Sequence, residues 1–241
     1  MKLTHSLALG LGLALIVQGA QAQDRMKVAI GQRGVYENSI SELGQDKGFF
    51  KKHGLVLELL YTQGSGETQQ AVISGSVDVG IGVGTHSVMG AFQKGAPIRA
   101  IGSTITGAYE FWYVRADSPI KTFKDAADKT VAYSTAGSST MMMVAAMQKQ
   151  FDAKVKPTAT GSPPSTYTQV MSGQIDVGWS APPLAYQPVM DGKTRMLVPG
   201  REIVAFRNQS IRVIAANAAD LEKRRDVYKR YMAAYRETIE W

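Results

Sequence analysis

Short buried runs and amphipathic stretches alternate along this chain, the hydrophobic pattern of an α/β protein. The run that organises the rest is Ala71–Gly84, AVISGSVDVGIGVG, because it occurs twice. Val170–Trp179 reads VMSGQIDVGW and matches VISGSVDVGI at Val, Ser, Gly, Asp, Val and Gly. Each copy predicts a helix end, a left-handed Gly stop at Gly75 or Gly173, and a short buried strand at Val77–Val79 or Ile175–Val177. Matching lead-ins precede them: Gly64-Ser65-Gly66-Glu67 and Gly161-Ser162-Pro163-Pro164. The unit is strand, polar loop, helix, Gly stop, strand. Two copies in one chain predict two similar α/β lobes.

The remaining elements follow from the same patterning. Strands are predicted at Met26–Ile30, Val56–Tyr61, Ile98–Ser103, Glu110–Val114, Thr130–Tyr133, Val155–Thr160, Met196–Val198 and Ile211–Ala215. Ser39-x-x-Glu42 and Thr122-x-x-Asp125 fit capping boxes. Thr85–Lys94 and the Met-rich Met141–Phe151 read as helices, and Pro182-Pro183 as a helix opening. Texture changes at Arg115–Pro119, where a second strand series begins. In the C-terminal helix Val227, Tyr231, Ala234, Thr238 and Trp241 share one face. That helix stops on an aromatic residue without cap, Gly or Pro. It reads as a chain cut short, with more sequence needed to cover the stripe.

Composition narrows the class. The 241 residues are 44% apolar, enough for one large domain or two small ones. Without cysteine there is no disulfide, thiolate metal site or cysteine nucleophile. Lys2 and His5 precede the apolar run Leu7–Val17, and Ala20-Gln21-Ala22 fits a small-x-small cleavage site, so residues 1–22 read as a signal peptide. An uncleaved anchor is the alternative. The product is expected to be exported and soluble. The net charge of +7 is scattered, without the basic stripe of a nucleic-acid binder, and slightly favours an anionic solute.

Candidate chemistry lies in the loops that open helices. Gly64-Ser65-Gly66 and Ser138-Ser139-Thr140 put N–H groups and hydroxyls at helix starts, which suit a carboxylate, sulfonate or phosphate. The same hydroxyls suit capping of their own helices. Glu67 lies in the same first turn; it either satisfies that start from the solvent side or holds an amine. Asp78 and Asp176, at matched places, read as structural turn residues. His86 follows Gly84-Thr85 at a cleft position, as a wall residue before a catalyst. Tyr36 and Trp179 are the cleft aromatics, with Trp179 expected near the mouth between lobes and core packing its rival. No HExxH, GxSxG, P-loop or complete dinucleotide fingerprint is present.

Several stretches together resemble the nitrate/sulfonate/taurine-type solute-binding proteins of ABC importers, relatives of thiamine-pyrimidine-precursor proteins. They are ELGQDKGFFKKHGLVLEL (42–59), GSGETQQAVISGSVDVGIG (64–82), KGAPIRAIG (94–102), DSPIKTFKDAADKTVAYSTAGSST (117–140), SGQIDVGWSAPP (172–183) and YRETIEW (235–241). The resemblance implies a two-lobed type II periplasmic-binding-protein fold, each lobe a mixed sheet flanked by helices. The lobes would be residues 23–114 plus 213–241, the latter part read as cut short, and residues 115–212, with crossovers near Val114–Asp117 and Ser210–Val213. It implies an interlobe site drawn from Arg33, Tyr36, Ser65, Gly66, Glu67, Thr85, His86, Ser138, Ser139, Thr140, Trp179 and Ser180. It further implies a monomeric, non-enzymatic periplasmic protein without cofactor or metal. That protein captures a small anionic or zwitterionic solute by hinge closure and delivers it to a membrane permease with a cytoplasmic ATPase. Arg33 is the expected countercharge. A hydrolase or lyase on the same fold, or a sensing module for a membrane receptor, are the alternatives. The cysteine-rich motif of the related pyrimidine synthases is missing, which excludes that activity.

Overall fold

A computed structural model describes residues 23–241; the signal segment and its cleavage site lie outside the described residues. The chain runs β1 (Asp24–Gly31), α1 (Ile40–Asp46), α2 (Phe49–Lys52), β2 (Leu55–Thr62), α3 (Ser65–Ile73), β3 (Val79–Gly84), α4 (Thr85–Gln93), β4 (Ile98–Thr106) and β5 (Phe111–Arg115). It continues through β6 (Thr130–Tyr133), α5 (Ser139–Gln150), β7 (Lys156–Ala159), α6 (Pro163–Met171), β8 (Gly178–Ser180), α7 (Tyr186–Met190) and β9 (Thr194–Pro199). It ends with β10 (Ser210–Asn217), α8 (Ala218–Lys223) and α9 (Arg225–Glu240).

The repeat in the sequence becomes a repeat in topology. The first sheet has the order β2-β1-β3-β10-β4, with β1 parallel to β2 and β3, and β10 antiparallel to β3 and β4. In the second lobe β5 lies antiparallel between β8 and β9, and β6 pairs parallel with β7. The bridge Val131↔Val177 joins these two sets, Ala132 N donating to Val177 O at 2.8 Å. The second order is therefore β7-β6-β8-β5-β9, with the same parallel and antiparallel neighbours. The two copies of the repeated run stand at equivalent places, leading into β3 and β8.

Asp78 and Asp176 explain why these strands begin later than the apolar pattern predicts. Asp78 Oδ2 accepts from Lys27 N at 2.9 Å; Asp176 Oδ2 accepts from Thr130 N at 2.9 Å and Thr130 Oγ1 at 2.7 Å. Each carboxylate takes the place of a backbone partner for the neighbouring strand. Ladder pairing starts only beyond it.

β5 requires a correction. It was expected in the first lobe, yet it lies in the second sheet. Phe111, Trp112, Tyr113 and Val114 are all buried, so the strand needs cover on both faces, and the second core supplies it. Trp112 Nε1 donates to Ala132 O at 2.9 Å within that core. The first crossover is consequently at Gly107–Glu110, not at Val114–Asp117. The second arrives beside it, Gly107 N donating to Gln209 O at 2.8 Å. Gly107 has φ +79°, and a Cβ there would stand 3.0 Å from Arg207 O, so only glycine fits between the passages. Ser210 then opens β10 directly opposite Thr106, the last residue of β4.

The stripe on α9 is covered within this chain, contrary to expectation. Val227, Tyr231, Ala234 and Thr238 are buried against β1 and β2 on one side and α1 and α2 on the other. Tyr231 stacks obliquely on Phe50 at 5.3 Å, and its hydroxyl meets Ser41 Oγ at 2.8 Å. Trp241 is the exception: it is 68% exposed, with Phe49 at 6.2 Å and Lys47 over its ring. The opposite face of the first sheet is packed by Val72 of α3 and Val88 of α4.

Of the two capping boxes only Thr122–Asp125 forms, on a 3-10 turn. Ser39 instead continues the 3-10 turn Tyr36–Asn38 and donates to Tyr36 O at 2.7 Å, while Glu42 turns to Arg33. The helix expected at Pro182 starts at Tyr186, because Ala185 takes a left-handed conformation just before it.

Candidate functional site: the interlobe cleft

Two helix starts meet across the lobes. α3 begins at Ser65 after Gly64, and α5 at Ser139 after Ser138, whose hydroxyl caps it by accepting from Met141 N at 3.1 Å. Gly66 N donates across the gap to Thr135 Oγ1 at 3.1 Å. A Cβ on Gly64 would lie 2.9 Å from that same oxygen, and one on Gly66 would overlap the Ala136 carbonyl oxygen. Both glycines thus owe their place to close approach. Ser87 Oγ donates to Gly137 O, and Tyr36 N to Pro182 O at 3.2 Å, so the cleft is closed along its length.

At its base lies a buried ion network. Arg212 on β10 is 3% exposed, Glu37 3% and Glu110 0%. Arg212 Nη1 donates to Glu37 Oε1 and Nη2 to Glu110 Oε1. Its Nε donates to Ser139 Oγ at 3.0 Å, and Nη1 reaches the Tyr109 hydroxyl at 3.2 Å. One guanidinium therefore ties the first lobe, the first crossover and the start of α5 together. Burial alone opposes its charge, but Glu110 and Glu37 more than offset that and hold Arg212 above its ordinary range. Burial raises the Glu110 carboxyl despite the attraction of Arg212, and raises the Tyr109 hydroxyl well above its usual value.

The residues expected from the sequence fall into two groups. Gly66, His86 and Ser139 make contacts between the lobes, and Ser65, Thr85, Ser138 and Thr140 stand next to them in sequence and bond within their own lobes. Ser65 Oγ accepts from Gly84 N at 3.2 Å, and Thr85 Oγ1 donates to Ser210 O. His86 sets its ring against Phe206 of the other lobe at 5.9 Å, a wall contact. Thr140 Oγ1 accepts from Ser134 N at 3.0 Å. Ser180 is buried and donates to Leu184 O at 3.1 Å. Glu67 accepts from Gln63 N at 2.7 Å, satisfying its own helix start from outside.

The others lie elsewhere. Arg33 stands over Tyr61 at 4.7 Å and 3.5 Å from Glu42, on the exterior of the first lobe. Tyr36 stays at the cleft edge through its backbone N–H to Pro182 O, but its side chain is turned out, the residue being 70% exposed. Trp179, expected near the mouth, is fully buried because β8 is an inner strand with both faces covered; its Nε1 has no protein partner. The buried cation of the site is Arg212, which sequence reasoning passed over inside the apolar run IRVIAA. A lone Arg in such a run was the available signal, since a charge there must be paired. Glu37 and Glu110, its partners, gave no pattern of their own.

Among the described residues no group of His, Asp or Glu could hold a metal ion, and no helix is long and apolar enough to cross a membrane.

The sequence matches the family described as NMT1/THI5 like over residues 42–241, and the chain belongs to it. None of the curated proteins compared with it matches. A protein from Bordetella bronchiseptica RB50 is similar in structure at 21% identity and TM-score 0.78, over 89% of this chain and 70% of that one. The alkanesulfonate-binding protein SsuA from Xanthomonas axonopodis pv. citri, bound to MOPS, aligns at 15% identity and TM-score 0.71, over 90% and 74%. The periplasmic nitrate-binding protein NrtA from Synechocystis PCC 6803 aligns at 16% identity and TM-score 0.72, over 91% and 62%. The fold is that of the two-lobed periplasmic binding proteins.

Proposed function

We propose that this chain is the solute-binding component of an ABC importer. It is exported to the periplasm, acts as a monomer, and takes a small anionic or zwitterionic solute into the interlobe cleft. It then presents that solute to a membrane permease driven by a cytoplasmic ATPase, without chemical change. The observation that carries this reading is the pair of opposed helix starts, α3 and α5, with the buried Arg212 donating across them to Ser139. First-turn N–H groups have no partner inside their helices and, with the positive helix ends, favour an anionic group. Such a site forms only when the lobes close, so capture and closure are one event. Family membership and the structural likeness to sulfonate- and nitrate-binding proteins support the class.

A thermal-unfolding screen of sulfonates, nitrate, amino acids and organic acids tests it. A solute present at a hundred times its Kd stabilises by about 2.7 kcal/mol. Failure of every small polar solute to raise the midpoint, or recovery of a chemically altered solute after incubation, would overturn the proposal.

A further inference from the structure

A cavity stands beside the first crossover that the two helix starts do not use. Its volume is about 270 Å³, and its wall includes Tyr109, Glu110, Phe111, Pro182, Tyr186 and Arg201. None of Ser65, Gly66, Ser139 or Arg212 lines it. Gly200, also on the wall, ties the end of β9 to the crossover. Its N donates to Glu110 O at 2.6 Å, and a Cβ on it would stand 2.6 Å from that oxygen. The cavity is thus framed by backbone held in close register.

Size and lining favour a ring. Ligand pockets run from about 300 to 1,000 Å³, so a cavity just below that range suits a single ring with a short substituent. Tyr186 stacks on Phe111 at 5.2 Å with 10° between the planes, yet stays 42% exposed. Tyr109 and Pro182 add further flat surface of the kind that aromatic rings pack against.

The charge on the wall favours an anion. Arg201 is exposed, and its guanidinium has no ion-pair partner among the described residues. Arg207 lies beside it, with Nε donating to Arg201 O at 2.9 Å. A guanidinium offers a planar fork of donors that matches a carboxylate. Glu110 is the one acid on the wall. Arg212 Nη2 already occupies it, and burial raises its carboxyl, so it repels an anion less than a free carboxylate would.

We infer that this cavity is a second binding site, separate from the helix starts, for an aromatic carboxylate whose ring lies against Tyr186 and whose carboxylate pairs with Arg201. The inference stands apart from the reading of the cleft as a solute site.

The test is calorimetric titration of the whole protein with benzoate, with acetate as the charge without the ring and benzyl alcohol as the ring without the charge. Benzoate is expected to bind at least tenfold more tightly than either. Arg201→Gln should weaken benzoate at least tenfold and leave benzyl alcohol unchanged, while Tyr186→Ala weakens both, with far-UV circular dichroism confirming the fold of each variant. Crystals grown with 4-iodobenzoate locate the site through the anomalous signal of iodine, which is expected between Tyr186 and Arg201. This readout uses the parent protein and decides even where a variant fails to fold. Benzoate no tighter than acetate or benzyl alcohol, or benzoate affinity untouched by Arg201→Gln, overturns the proposal. Iodine found between the starts of α3 and α5 also overturns the second site and leaves the solute-binding reading of the cleft standing.

Discussion

Gly66→Ala isolates the contact on which cleft closure depends. Gly66 lies in the first turn of α3, where alanine is the better helix former by up to about 1 kcal/mol, so the first lobe itself is not harmed. The added Cβ meets the other lobe. It would stand 3.0 Å from Thr135 Oγ1 and 3.3 Å from the Ala136 carbonyl carbon, with the carbonyl oxygen closer still. The obstacle is backbone, which cannot swing aside as a flexible side chain would. Overpacking of this kind typically costs about 1–3 kcal/mol. The open form escapes that cost, so the closed form alone is penalised. Each 1.4 kcal/mol is a factor of ten in affinity, which gives roughly fivefold to 150-fold weaker binding of the best solute. Small-angle scattering at a solute concentration that closes the parent should show a larger radius for the variant, and titration calorimetry the weaker binding. The reasoning is refuted if Gly66→Ala matches the parent in both measurements, because the lobes then do not need this approach.

Other substitutions test the rest of the framework. Arg212→Ala strands two buried carboxylates and should lower stability by about 3–5 kcal/mol in denaturant unfolding; adding Glu37→Gln and Glu110→Gln should restore a large part of it. Asp176→Ala removes the acceptor shared by Thr130 N and Oγ1 and should cost about 1.5–3 kcal/mol, with solute affinity in the remaining folded protein unchanged by calorimetry. Asp125 accepts from Thr122 and Lys121 backbone N–H groups, which hold its carboxyl below the usual range. Its contribution is therefore present above its unfolded pKa and lost as pH falls through the lower folded value, so Asp125→Asn should flatten the acid limb of a melting-temperature profile below about pH 4. Stability of the variant that still falls as steeply as the parent's in that range would assign the acid sensitivity elsewhere.

Strand and helix positions were legible where burial alone decides them. Thr130–Tyr133 is found as read, and β10 extends the apolar run Ile211–Ala215 at both ends. The doubled SGxxDVG run announced two like lobes because the same Asp has the same backbone task in each. Residues whose place depends on distant partners were not legible. β5 reads as an ordinary apolar strand from its own residues, and only the cover available on each side puts it in the second sheet. Ser39 has the right spacing for a cap, but the turn before it already fixes its conformation. At the site, the small residues of the helix starts were visible because close approach demands them. Arg33 looked like the natural countercharge from its loop, yet Glu42 and Tyr61 lie nearer to it in space. Arg212 was hidden because its partners are 175 and 102 residues away in sequence.

The register of one strand pair has a consequence for the whole architecture. With Ser210 opposite Thr106, β4 and β10 are the two arms of a single hairpin, and everything from 107 to 209 hangs from its tip. The second lobe is thus a cassette grafted where a tight turn would otherwise stand. Joining Thr106 to Ser210 through a short Asn-Gly type turn leaves the first sheet with all its strands and its ladder unbroken. Movement about such a tip is torsion of a two-stranded ribbon, because both passages leave the sheet side by side. Exchange of the cassette between relatives would replace the α5 half of the cleft while Glu37 and Arg212 stay in place, so that one wall of the cleft is portable and the other is fixed to the scaffold.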